Sequence, residues 1–164
     1  MTTAPPKGPT NRPPNRLPWP PVIYLLGVAA AVVLNTFWPL PWIGSPMADL
    51  LLAIGALLIV GTIAIDFSAM RQMKRADTTV MPHKAADHLV TKGAFSFTRN
   101  PIYLGNTMAL IGIGLVTGIA WFLPAAIIAA FATQKLAIER EEKHLAQRFG
   151  KKYHDYAKRV RRWI

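Results

Sequence analysis

Four long apolar runs dominate the chain, and most charged residues lie in the segments between and around them. The first run covers residues 22–40 without a charge, the second 49–70 with Asp66 inside it, the third 101–119 and the fourth 121–138. A bilayer core of about 30 Å is crossed by ~20 helical residues, so these runs predict four hydrophobic helices. Almost nothing separates the last two, around Gly118 and Trp121. So short a turn predicts an antiparallel helical hairpin, which need not reach fully across. The expected fold class is all-α: an integral membrane bundle of four helices followed by a helical segment over 139–162. In that segment Leu145, Phe149, Tyr153 and Tyr156 recur at helical spacing, basic residues take the other faces, and Gly150 divides it in two. It reads as an amphipathic helix lying on the membrane surface, with Arg162 a lipid contact in its basic tail. Residues 1–20 carry much Pro, Thr and Asn and few apolar side chains, which predicts a disordered tail ahead of one membrane domain over 21–164. Nothing apolar lies near Met1, so no signal peptide is expected.

Orientation follows from the 19 Lys and Arg residues. The N-terminal tail holds three (Lys7, Arg12, Arg16), the connection over 71–100 holds six, and the chain from Lys135 onward holds ten. The connection over 39–49 and the turn between the last two runs hold none. This strict alternation places both termini and residues 71–100 on the cytoplasmic side, which is the inner membrane if the source is prokaryotic. Trp19, Trp38, Trp42 and Trp121 fall near the ends of the runs, where amphipathic rings favour the head-group level.

Composition agrees. Charged residues are 16% of the chain, against about 25% in soluble domains. The absence of cysteine excludes disulfides, thiolate metal sites and cysteine nucleophiles, and no metal site is expected. The net charge of +11 raises nucleic acid as a partner. Basic residues that alternate with apolar spans instead meet anionic lipid head groups, so membrane lipids are the expected partner and nucleic acid is not. Polar residues within the runs include Asn35, Thr36, Asp66, Asn106 and Thr107, which lie toward run ends. That pattern disfavours a conduction path.

Gly112 and Gly114 look like part of a dinucleotide fingerprint, but the strand and helix start that such a motif needs are missing. A small-xxx-small pair, Gly114 with Gly118, explains them as close helix packing. Two other clusters could carry chemistry. In Arg99-Asn100-Pro101, proline suits the first position of a helix and asparagine caps it. The third helix would begin there with its positive dipole end beside the Arg99 charge, a place to receive a carboxylate. Arg99 would equally mark the span boundary by binding lipid phosphate. The second cluster, Glu139-Arg140-Glu141-Glu142, follows the fourth run directly. A hairpin would return Glu141 and Glu142 beside Arg99 and Tyr103, to hold a cation or a ribose hydroxyl or to accept a proton. A solvated acidic patch balancing nearby bases explains it as well.

Together these elements form a longer pattern. Gly93-Ala94-Phe95 is followed by Arg99-Asn100-Pro101-Ile102-Tyr103-Leu104-Gly105, and then, beyond the apolar hairpin, by Glu141-Glu142, Leu145, Phe149-Gly150, Tyr153 and Tyr156. Over residues 80–162 it resembles the isoprenylcysteine carboxyl methyltransferase and phospholipid methyltransferase families. The resemblance implies S-adenosylmethionine bound between helix ends without a Rossmann domain, with S-adenosylhomocysteine as product. It also implies a lipophilic small-molecule or lipid acceptor entering from the bilayer. Carried over position by position, His88, Leu89, Val90, Gly93 and Phe95 would line the cofactor along a loop over 80–100. Arg99, Asn100, Pro101, Tyr103 and Leu104 would continue the pocket, and Glu141 and Glu142 would close it. Arg99 and Glu142 are the expected catalytic pair. A carboxylate acceptor would need only Arg99 to orient it, whereas an amine or thiol would need a base, for which Glu142, Glu141 and His88 are the candidates. Two positions depart from the pattern: Asn100 stands where the eukaryotic members have histidine, and Phe95 where tyrosine is familiar. The reading is a membrane methyltransferase; the alternative is a non-catalytic membrane scaffold or transporter subunit.

Overall fold

The computed structural model describes residues 19–76 and 88–164. Most of the expected N-terminal tail and the 80–87 part of the expected loop therefore lie outside the described residues. Among the described residues the regular structure is helical, apart from one isolated bridge between Thr98 and Arg161.

Helix α1 covers Trp19–Phe37. It starts ahead of the expected boundary because Pro20 and Pro21 fit a first turn, where no N–H bond is lost. It stops short of residue 40 because Pro39 disfavours helical geometry at Trp38. Helix α2 covers Met47–Arg75 and outruns its expected end at residue 70. The apolar run ends there, but no Gly or Pro interrupts the backbone until well beyond it, so the helix continues through polar residues.

Helix α3, Pro101–Thr117, is closed by Gly118 at φ 71°, a left-handed position that glycine takes without strain. Helix α4, Phe122–Thr133, follows after a short turn, so the hairpin is present. It does not end at residue 138. The chain runs on through a π turn at Gln134–Ile138 into α5, Glu139–Phe149. Gly150 (φ 52°) then separates α5 from α6, Lys151–Arg159.

Among the described residues, three helical stretches are long and apolar enough to cross a membrane: Trp19–Phe37, Met47–Arg75 and Phe122–Phe149. Helix α3 is apolar but has 17 residues, roughly 26 Å, somewhat short of a bilayer core of about 30 Å. Leu25, Leu57, Val60, Ile63, Phe67, Ile127, Ile128 and Phe131 are each more than 60% exposed. An apolar surface this extensive suits lipid and not water.

The interior has two seams. Tyr24, Ala31, Leu110, Phe122, Ala126 and Ala129 form a core joining α1, α3 and α4. Helices α2 and α3 meet at Gly55 and Gly112: a Cβ on Gly55 would stand 2.8 Å from the Gly112 carbonyl oxygen, and one on Gly112 would stand 2.9 Å from that of Gly55. The expected packing pair is thereby corrected. Gly114 faces Phe122 inside the hairpin, and Gly118 is a helix cap against Trp42. Trp121 Nε1 donates to the Trp38 carbonyl at 2.7 Å, so the connections at this end of the bundle are tied together.

Candidate active site at the opposite end of the bundle

The other end gathers the start of α1, the end of α2, the start of α3 and all of α5 and α6. A 3₁₀ turn, Gly93–Ser96, docks on α2. Gly93 has φ 63°, and a Cβ there would meet Gln72 Cγ at 2.7 Å. The Ala94 N–H donates to Ser68 Oγ at 3.1 Å, and Tyr156 Oη donates to the Phe95 carbonyl at 2.7 Å.

The apolar face of α5 and α6 is therefore not presented to lipid. Tyr153, Tyr156 and Val160 are buried together, with Leu89, Leu145 and Phe149 packed on them. The periodicity of those residues is real, and the surface they cover is the loop before α3. Burial pushes the Tyr153 and Tyr156 hydroxyls up from the usual phenol range, the Glu142 charge adding to the effect at Tyr153, so both stay protonated. His144 lies on α5 near this face. Its Nε2 is buried without a hydrogen-bond partner among the described residues.

Arg99 and Glu142 meet. Nη2 of Arg99 lies 3.3 Å from Glu142 Oε1, and the two side chains are only 15% and 16% exposed. Arg99 Nη1 donates to Tyr153 Oη at 3.2 Å, while its Nε is buried without a partner among the described residues. Beside this pair Tyr103 Oη donates to Glu141 Oε1 at 2.7 Å. The Tyr103 carbonyl accepts from Tyr24 Oη at 3.0 Å and from Thr107 Oγ1 at 2.9 Å, which ties α1 to the start of α3.

Asn100 stands at the N-cap of α3, but its side chain makes no capping bond. Its Nδ2 donates instead to the Arg162 carbonyl at 2.9 Å, and its backbone N–H donates to Thr98 Oγ1. Pro101 and Leu104 are buried. Leu89, Val90 and Phe95 are half-buried, and His88 is exposed. The structure thus brings Arg99, Asn100, Tyr103, Glu141 and Glu142 to one place, whereas His88 lies at the exposed edge of the described loop.

Two residues at this end escaped the reading of the sequence. Arg162 Nε and Nη2 clasp Glu142 Oε1 and Oε2 at 3.0 and 2.7 Å, and the Glu142 hydrogen bond pushes the guanidinium pKa above its ordinary value. Nothing in a run of basic residues distinguishes Arg162 from its neighbours. Asp66, on α2, had a signal in being an acid well inside an apolar run. It packs against α3 where Gly105 leaves room: a Cβ on Gly105 would stand 2.6 Å from Asp66 Oδ1. That oxygen is buried without a partner among the described residues. No three His, Asp or Glu side chains among the described residues group as a metal-ligand set.

This geometry meets an independent comparison of the sequence. Residues 50–152 match the phospholipid methyltransferase family, and the chain belongs to that family. It is 32% identical to a protein-S-isoprenylcysteine O-methyltransferase of Dictyostelium discoideum, over 62% of this chain and 46% of that protein. It is also 28% identical to the nickel-cobalt-cadmium resistance protein NccN of Alcaligenes xylosoxydans xylosoxydans, over 85% of this chain and 59% of that protein. A third relative, at 30% identity over 73% of this chain and 51% of its own length, is the cobalt-zinc-cadmium resistance protein CzcN of Cupriavidus metallidurans. The chain spans about half the length of the curated relatives it matches.

Proposed function

We propose that the protein is an integral membrane methyltransferase. It moves a methyl group from S-adenosylmethionine to a lipophilic or membrane-delivered carboxylate, amine or thiol at the cytoplasmic face. The observation that carries this reading is the meeting of Arg99, Tyr103, Glu141 and Glu142 at one end of an apolar bundle, in a chain of the phospholipid methyltransferase family.

The residues present fit the cofactor. Among the described residues Arg99 Nε is an unmatched buried donor and Asp66 Oδ1 an unmatched buried acceptor, the complements of an amino-acid carboxylate and ammonium. Arg99, Asp66, Glu141 and Glu142 would hold it, with the loop around Gly93–Ser96 as one wall. The cofactor supplies an electrophilic methyl carbon on a sulfonium. The contribution of the chain is position, because holding two reactants in line supplies most of the rate in such a transfer. Arg99 is placed to orient an anionic group. Glu142, held by two guanidinium groups and 16% exposed, keeps a carboxylate largely withdrawn from water, where its charge acts more strongly.

Binding is the direct test. Titration calorimetry of detergent-purified protein with S-adenosylmethionine or S-adenosylhomocysteine is expected to give saturable heat and a higher melting temperature. No heat and no thermal shift from folded protein would sink the reading. Labelled-methyl transfer to a membrane extract, with mass spectrometry of the product, then identifies the acceptor.

The same proposal places both ends of the chain on the cytoplasmic side, since the Lys and Arg residues alternate span by span. The absence of cysteine makes this simple to check. A cysteine replacing Ser45 is expected to react with an impermeant reagent added outside intact cells, and one replacing the exposed Lys151 is expected to react only after permeabilisation. The reverse pattern would invert the topology.

A further inference from the structure

The segment after α6 is wired into the candidate site at five points. The Arg99 N–H donates to the Arg161 carbonyl at 3.0 Å, beside the Thr98–Arg161 bridge. The Arg162 carbonyl accepts from Thr98 Oγ1 at 3.3 Å and from Asn100 Nδ2 at 2.9 Å. The Arg162 guanidinium clasps both oxygens of Glu142. Trp163 Nε1 donates to Gln134 Oε1 at 2.9 Å, at the first residue of the π turn that leads into α5. A π turn shifts every following side chain around the helix axis and is frequent at functional sites. Here it precedes Glu141 and Glu142, and Trp163 holds it from outside.

We propose that Arg162 is a positioning residue of the cofactor site. Its guanidinium fixes the Glu142 carboxylate, and its carbonyl fixes Asn100, so that the acidic side from α5 and the basic side from α3 are set against each other by one residue. The inference rests on the methyltransferase reading above. Two features separate this contact from a surface ion pair. A two-point guanidinium–carboxylate fork fixes orientation as well as distance, and Glu142 is only 16% exposed. Glu142 also answers to Arg99 from the other side. Without Arg162 its carboxylate would be free to turn onto Arg99 and occupy the donor that the cofactor needs.

A double-mutant cycle on the purified full chain tests this, with S-adenosylmethionine affinity by calorimetry as readout and melting temperature measured in parallel. Arg162→Ala is expected to weaken binding about tenfold, the lower end for losing a charged hydrogen bond at a partly exposed site. Arg162→Lys, which restores charge but not the fork, should fall between Ala and wild type. In Glu142→Gln, adding Arg162→Ala should cause little further loss, because the partner that Arg162 positions has already lost its charge. Arg159→Ala, which removes an equal charge from an exposed side chain that donates to the Asp155 carbonyl within α6, should bind as wild type does. If wild type binds no cofactor, the methyltransferase reading fails and this role fails with it. If wild type binds and Arg162→Ala binds equally well, or loses only melting temperature, the positioning role alone is overturned. Should Arg162→Ala not fold, Arg162→Lys decides: binding equal to wild type overturns the proposal, and a few-fold loss supports it.

Discussion

Glu142→Gln is expected to abolish most cofactor binding and methyl transfer while leaving a folded protein. The side chain keeps its shape but loses the charge that faces Arg99 on one side and Arg162 on the other. Each charged hydrogen bond of this kind is worth about 1.5–3 kcal/mol, and the removal of one partner leaves the others without compensation. Arg99, 15% exposed, would keep only Tyr153. A loss of roughly ten- to a hundred-fold in affinity or rate follows. Glu142→Asp should lie between, since the charge survives on a shorter arm that cannot meet both guanidinium groups at once. Glu139→Gln is the control. Glu139 pairs with Lys135 at 2.7 Å across a single helical turn, with side chains 33% and 50% exposed, and solvent-exposed pairs of this kind contribute little. Binding by calorimetry and methyl transfer should therefore separate two acids on the same helix. Equal effects of Glu142→Gln and Glu139→Gln would remove Glu142 from the site.

The sequence made this site partly legible, for a physical reason. A short hairpin must bring the end of the fourth apolar run back beside the start of the third, so the meeting of Arg99 with Glu142 follows from connectivity and the length of the turn. The clasp from Arg162 does not, because it depends on how the segment beyond α6 turns back, and a run of Arg and Lys looks the same whether it meets lipid or a carboxylate. The helical spacing of Leu145, Phe149, Tyr153 and Tyr156 identified an apolar face, but the membrane surface expected to cover it does not. Periodicity reports that a face is buried; the partner is set by tertiary packing, here the loop carrying Leu89 and Phe95. Helix ends were legible where Pro or Gly forces them, as at Pro101, Gly118 and Gly150. They were not legible at the end of α2 or at residue 138, where only polarity changes and the backbone has no cause to stop.

Gly112→Ala should be strongly damaging for so small a substitution in the membrane part of the chain. In a bilayer, lipid tails are as apolar as leucine, so helices associate through close packing and hydrogen bonds and not through exclusion of water. The α2–α3 seam depends on the absence of side chains at two facing positions. A methyl group on Gly112 would meet the Gly55 carbonyl oxygen at 2.9 Å, Ile59 Cγ1 at 2.9 Å and Leu58 Cβ at 3.3 Å. The first of these is backbone and cannot swing aside, so the helices must separate. Overpacking of this kind costs about 1–3 kcal/mol. Separation also reaches the site. One helix turn pair further along, Thr62 Oγ1 donates to the Gly105 carbonyl at 3.0 Å, and Asp66 lies against Gly105, so both contacts would lengthen. Gly112→Ala should lower both the melting temperature in detergent and the affinity for S-adenosylmethionine, and Gly112→Leu should prevent recovery of folded protein. Gly44→Ala, where an added Cβ meets nothing within 4 Å, should match wild type in both measurements. A Gly112→Ala protein that melted and bound as Gly44→Ala does would show that α2 and α3 are not held together at this seam.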